Sequence, residues 1–252
     1  MSMAGEDTLR TYRESNVVDL YDTTRELQWP EKQLFDEYVK PGQRILDLGV
    51  GAGRTTRFLA DGAKEYIGLD YSDKMVERCR ERFPDLKFVC QDASDLSQFE
   101  TESFDVVVFS FNGLGTLPTD AFRRRCVNEV ARVLKRNGTF IFSLHNSRFI
   151  VYPPVFAGAA NPAKALWRLT YAAMQTGKNA IRRLPKAAFW TGQGYVVDPG
   201  QHSELSVFTC SPERVKFEVE RASFSVERVL STRPKELTTL LTPHYYYACQ
   251  RR

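Results

Sequence analysis

The chain has 252 residues, 42% of them hydrophobic and 26% charged, and a net charge of +4. That is ordinary globular composition, long enough to bury a sizeable core as one large domain or as a domain with an insertion. No apolar run is long enough to span a bilayer and no signal-type segment opens the chain, so a soluble, cytoplasmic protein is expected.

Five scattered cysteines, none in a C-x-x-C pair, predict reduced thiols rather than a disulfide framework. The charge is unevenly spread. Residues 131–197 hold ten Lys and Arg and no Asp or Glu. Such a block predicts either an anionic partner or a solvated basic face.

Taken in order, Met1–Asp7 is small and polar, and disorder is expected there. Thr8–Leu27 has helical spacing through Leu9, Tyr12, Val17, Leu20 and Tyr21. Pro30 opens a second helix at its first position, and Pro41-Gly42 ends it. Then comes Ile45–Arg57, ILDLGVGAGRTTR. Ile45, Leu46 and Leu48 read as a buried parallel strand, and Gly49, Gly51 and Gly53 as a tight turn that lets a ligand approach the backbone. Thr55–Ala60 starts a helix, leaving free N–H groups above the sheet. A dinucleotide fold would place a glycine where Arg54 stands.

A second strand, Glu65–Leu69, ends in Asp70-Tyr71. An acidic residue about 20 positions past the turn is placed to accept hydrogen bonds from ribose hydroxyls. Ser72 caps a helix reaching about Phe83. Leu86–Cys90 is the third strand, followed by Gln91-Asp92-Ala93, where Asp92 suits either a turn or a ligand contact. Phe104–Phe109, FDVVVF, is the cleanest buried strand and leads into Ser110-Phe111-Asn112-Gly113-Leu114-Gly115. An amphipathic helix, Ala121–Leu134, turns through Arg136-Asn137-Gly138 into the fifth strand, Thr139–Leu144. That strand ends in His145-Asn146 at the carboxyl edge of the sheet. His145 suits a proton-accepting base or a hydrogen-bonded histidine holding a loop.

Arg148–Glu204 leaves the core pattern. A helix is predicted over Ala163–Gln175 and a second short one over Ile181–Leu184. A loop or strand with Trp190, Tyr195, Asp198 and His202 follows. This basic, aromatic-rich stretch reads as a cap over a substrate. It also suits a helix on an anionic membrane or one docking a partner. Helix Glu213–Ala222 opens at Ser211-Pro212, and strands Ser225–Leu230 and Tyr245–Gln250 close the chain.

ILDLGVGAG resembles the first motif of class I S-adenosylmethionine-dependent methyltransferases, hydrophobic-hydrophobic-D/E-x-G-x-G-x-G. EVARVLKRNGTFIFSLHN resembles the family's helix-then-strand segment, with Arg-Asn-Gly in place of Pro-Gly-Gly. The resemblance covers Ile45–Leu144 closely and Ser211–Arg252 more loosely. It implies a three-layer, doubly wound α/β fold: a seven-stranded, mostly parallel sheet, an antiparallel C-terminal hairpin and a helical cap inserted after the fifth strand. Residues 1–40 would lie over the cofactor site, 41–146 and 205–252 would form the core, and 147–204 the cap.

The resemblance further implies S-adenosylmethionine as cofactor and S-adenosylhomocysteine as product. Asp47 and the three glycines would hold the methionine part, Asp70 the ribose, and Tyr71, Asp92 and Ala93 the adenine. Ser110, Asn112 and Tyr21 would add contacts. Asn112, Leu114, Asn146, Trp190 and Tyr195 would face substrate, with His145 and His202 as base candidates and no metal. The fourth strand carries neither D/N-P-P-Y/F nor Pro-Cys nor a terminal acid, which argues against base methylation of nucleic acid and against a metal-dependent site. Metal-independent methyl transfer to O or N of a small molecule, anionic or lipid-like, is the reading. RNA methylation and a non-catalytic cofactor-binding module are the alternatives.

Overall fold

The computed structural model describes residues 26–153, 161–197, 206–232 and 239–252. Helix α1 (Trp29–Tyr38) leads into β1 (Arg44–Leu48), α2 (Thr56–Ala60), β2 (Glu65–Asp70), α3 (Asp73–Arg82) and β3 (Lys87–Cys90). After β4 (Phe104–Phe109) come α4 (Gly113–Thr116), α5 (Asp120–Val133) and β5 (Leu134–His145). Then α6 (Pro162–Arg183), α7 (Ala187–Thr191), β6 (Gln193–Val197), β7 (Ser206–Cys210), α8 (Pro212–Arg221), β8 (Phe224–Ser231) and β9 (His244–Arg251) complete the order.

Parallel pairing runs β3-β2-β1-β4-β5. Antiparallel β9 pairs with β5 from Thr139↔Gln250 to His145↔His244, and β8 closes the edge on β9. That is the expected seven-stranded sheet. Two more strands join it. β4 releases its edge of β5 at Phe109↔Phe142, and the β6–β7 hairpin reaches β5 three residues further on, at His145↔Thr209.

Alternating strand residues fill two cores. Leu46, Leu48, Leu69, Val107, Phe140 and Phe142 meet α5 and α8 through Cys126, Val130, Val215 and Val219. Ile45, Val106, Val108 and Ile141 meet α1, α2 and α3 through Leu34, Leu59, Val76 and Cys79. Each such side chain taken out of water contributes roughly 1.5–3 kcal/mol, so the three-layer arrangement follows from strands that are apolar on both faces.

The segment after β5 departs from expectation in one respect. The predicted helices over Ala163–Gln175 and Ile181–Leu184 are one continuous helix, α6, capped by Asn161 Oδ1 accepting from Ala163 N–H at 2.9 Å. Gly177 does not break it; at an exposed helical position it costs only about 1 kcal/mol. The expected amino-terminal helix, with Tyr21, lies outside the described residues up to residue 25, as do Asp198 and His202.

Candidate active site

The strand order reverses between β1 and β4, and the carboxyl ends of β1, β2, β3 and β4 meet there. Open α/β sheets bind ligands in that crevice. Gly49, Gly51 and Gly53 all have positive φ, which glycine adopts without steric cost. At Gly49 (φ +60°) a Cβ would also fall 2.7 Å from Cε2 of Phe109. The Phe109 ring thus supports the turn from below. It leaves no room at Gly113 either, where a Cβ would overlap the same ring.

Asp70 fastens the turn from β2. Its Oδ2 accepts from the Gly51 N–H at 2.9 Å and its Oδ1 from the Ser72 N–H at 2.9 Å. Burial pushes its pKa up to about 6, against the pull of those backbone donors. Tyr71 is half-buried beside it. Asp92 is exposed after β3 and accepts from Ser94 N–H at 2.7 Å, an Asx turn, with Ala93 buried next to it.

Below the turn lies a buried polar cluster. Asp47 Oδ2 accepts from Thr55 Oγ1 at 2.7 Å and from the Tyr66 hydroxyl at 2.8 Å. Burial also raises Asp47 to about 6, with those hydrogen bonds opposing the shift. Arg54 forms a two-pronged ion pair with Glu31 of α1, at 2.7 Å for each prong. Both side chains are buried. Glu31 also accepts from Gln28 N–H at 2.7 Å and from Ser110 Oγ, and the Arg54 guanidinium lies 4.9 Å from the Phe111 ring centre. Glu31, Thr55 and Tyr66 escaped the sequence reading, and Arg54 was read there only as a missing glycine. One signal was available: a charge immediately behind a buried turn needs an acid, and Glu31 sits in a first helical turn, where acids are favoured.

After β4 the backbone is strained. Phe111 (φ 51°) and Asn112 (φ 64°) are consecutive non-glycine residues in the left-handed region. Such residues cost of order 1–3 kcal/mol each and gather at functional sites. The Asn112 N–H donates to Ser143 Oγ at 2.8 Å. Its side-chain oxygen is buried with no hydrogen-bond partner among the described residues. Buried acceptors are normally satisfied, so this one is available to a ligand's donor.

The remaining predicted residues divide. His145 is buried at the end of β5, its Nδ1 3.1 Å from Nε2 of His244. Burial, and then the Arg183 charge, lower its pKa to about 3. Asn146 spends its side chain on the carbonyls of Thr239 and Thr242 and on the Arg148 N–H. Leu114 is in the core and on the wall of a cavity of about 290 Å³ between α5 and α8. That cavity also holds Arg123, whose guanidinium lies over the Phe208 ring and donates to the Tyr195 hydroxyl at 2.5 Å. Trp190 is 70% exposed, its Nε1–H donating to the Leu184 carbonyl at 2.8 Å.

Residues 45–138 match a family model described as a methyltransferase domain. A demethylmenaquinone methyltransferase of Beutenbergia cavernae is 32% identical over 136 residues, 54% of this chain and 54% of that protein. The chain spans about half the length of the curated relatives it matches first. Solved structures share the fold. An S-adenosylmethionine-dependent methyltransferase from Mesorhizobium loti has a TM-score of 0.62 at 20% identity, over 89% of this chain and 97% of that one. The Burkholderia thailandensis 1,6-didemethyltoxoflavin-N1-methyltransferase, with 1,6-didemethyltoxoflavin and S-adenosylhomocysteine bound, has 0.63 at 12% identity, over 100% and 91%. The domain match over the glycine turn, the strand order and the antiparallel closing strands agree: residues 45–138 are similar to a methyltransferase domain, and the chain has the fold of the S-adenosylmethionine-dependent methyltransferases.

Proposed function

We propose that this chain is a metal-independent methyltransferase that uses S-adenosylmethionine to methylate O or N of a small molecule. The observation that carries the reading is the glycine turn fastened by Asp70 at the switch point of the sheet. The residues fit the cofactor on three counts. Three of the turn's positions are glycine with positive φ, two buried carboxyls flank it, and Asn112 offers an unspent buried oxygen. When bound, the cofactor supplies an electrophilic methyl on a sulfonium sulfur.

This chain's residues bind and orient. Gly49, Gly51 and Gly53 expose backbone to the methionine part, and Asp47 holds its ammonium end. Asp70, already bonded by backbone N–H groups, faces the ribose, and Tyr71, Asp92 and Ala93 border the adenine. Holding nucleophile, methyl carbon and sulfur in line supplies most of the rate. His145 acts here by position. Burial and the Arg183 charge favour its neutral imidazole and weaken it as a base. The bond to His244 ties the end of β5 to β9, beneath the substrate side. His202 remains the base candidate. A small acceptor is supported by the relative named for demethylmenaquinone.

Calorimetric titration of S-adenosylmethionine and S-adenosylhomocysteine tests the reading. Both should bind the wild type. Asp70→Asn should weaken both by tenfold or more, equal to about 1.5–3 kcal/mol for a lost charge-assisted bond. A folded wild type that binds neither ligand would overturn the assignment.

A further inference from the structure

Helix α6 is turned inside out. Its inward face is polar or small. Arg183 donates to the Asn146 carbonyl at 2.8 Å, Asn179 to the Ile150 carbonyl at 3.3 Å, and Thr176 Oγ1 accepts from the Tyr152 N–H at 2.9 Å. Arg168 and the buried Ala172 lie on the same side, at the helical spacing of these contacts. The apolar residues therefore point outward. Leu166, Trp167, Met174, Ile181 and Leu184 fall on one arc and all are exposed, Trp167 by 62% and Ile181 by 78%. Trp190 continues the arc, held to the Leu184 carbonyl by its indole N–H. Lys164, Lys178 and Arg182 border it. The helix lies within the 67-residue stretch, 131–197, that contains no acidic side chain.

A soluble helix turns its apolar stripe to the core. An exposed apolar face of this extent marks a surface that something covers. We infer that α6 lies flat on an anionic lipid bilayer. The apolar arc enters the headgroup boundary and the flanking basic side chains reach lipid phosphates. The charge pattern selects this occupant. A basic margin with no acid among its neighbours in sequence meets a uniformly anionic surface without repulsion, and Lys and Arg stems can lie along the apolar boundary while their charges stay in water. The stacked pair Trp167–Tyr171, ring centres 5.4 Å apart, supplies the amphipathic aromatics that settle at such an interface.

Vesicle flotation of the full chain tests this independently of the methyltransferase reading, since no cofactor is involved. Vesicles of equal parts phosphatidylcholine and phosphatidylglycerol should carry the wild type and blue-shift its tryptophan fluorescence. Phosphatidylcholine alone should not. Ile181→Glu and the double variant Lys164→Glu/Arg182→Glu should each weaken partitioning by about tenfold or more. Their melting temperatures should match the wild type, because the substituted side chains are exposed. Three results would overturn the inference: no flotation with the anionic vesicles, flotation indifferent to both variants, or a stable dimer in solution that Ile181→Glu dissociates, which would make the occupant a second copy.

Discussion

Asp47 and Asp70 keep their protons to a higher pH than ordinary carboxyls do. Both folded-state pKa values stand at about 6, above the ordinary carboxylate value near 4, and burial is the first cause of each. A raised carboxyl pKa means the folded chain binds protons that the unfolded chain has released. Stability contributed by these two groups is therefore full below about pH 4 and is lost as pH rises through 6. At neutral pH each burial costs roughly 2–3 kcal/mol relative to a neutral side chain. Asp47→Asn keeps an oxygen for Thr55 and Tyr66 and removes the charge. It should raise the melting temperature at pH 7, lose that advantage near pH 4, and weaken S-adenosylmethionine binding at pH 7. A melting-temperature series against pH, beside calorimetry, checks all three; a variant less stable than wild type at pH 7 would contradict the argument. The Glu31–Arg54 pair behaves oppositely. Glu31→Gln leaves a buried guanidinium without its counter-charge and should destabilise by about 3–5 kcal/mol, while replacing both partners by apolar residues should cost much less. Urea unfolding of Glu31→Gln and of the double variant measures the difference. Arg54 and Glu31 stand 23 positions apart, in a turn and a helix, so no local pattern joins them. Asp70, by contrast, was legible, because the distance from glycine turn to strand-end acid is a property of the strand-helix-strand unit itself.

At the scale of elements, periodicity reports which residues share a face and is silent on which face meets the core. The β-strands escaped this ambiguity because FDVVVF and ILDL are apolar on both sides and have to be buried on both. Helix α6 did not escape it. In the sequence it is apolar on most faces (Leu166, Trp167, Leu169, Tyr171, Met174), with Lys164 and Arg168 on a narrow stripe. The outward direction of its apolar arc rests on Thr176, Asn179 and Arg183 bonding to the chain between Asn146 and Tyr152, contacts 24 to 37 residues away. Its length exceeds the expected Ala163–Gln175 because the helix runs on through Gly177 to Arg183. Among the described residues nothing lies within 4 Å of a Cβ added at Gly177. Gly177→Ala should therefore stabilise the helix by about 1 kcal/mol and raise the melting temperature by about 2–4 °C. S-adenosylhomocysteine affinity should not change, because α6 contributes no residue to the glycine turn. Scanning calorimetry of the two proteins with and without that ligand tests the claim, and an unchanged or lower melting temperature would show that α6 frays at this point.

For the whole molecule, the question is whether the glycine turn opens alone or only when the sheet comes apart. The five thiols can report it. Cys90 is exposed, whereas Cys79, Cys126, Cys210 and Cys249 are buried, and burial raises the thiol pKa of Cys126, Cys210 and Cys249. An aromatic disulfide reagent should modify one thiol of the native protein quickly and all five in urea. The buried four divide by place. Cys126 and Cys249 sit in the core between sheet and helices, while Cys79 packs under the turn with its Sγ 3.0 Å from the Gly51 carbonyl. Local opening costs less than global unfolding where few strands must part. The turn is held by side chains, Asp70 and Cys79 on Gly51, Arg82 on the Ala52 carbonyl and the ion pair to α1, whereas Cys249 is enclosed in the ladders of β5 and β8. Cys79 should therefore react before Cys126 and Cys249, at a rate that falls when S-adenosylhomocysteine binds and rises in Glu31→Gln. The other buried thiols should keep the rate of global unfolding. If all four react together and a ligand slows them equally, the turn and the sheet open as one unit, and the polar cluster beneath the turn belongs to the stability of the whole fold rather than to a separately moving cofactor site.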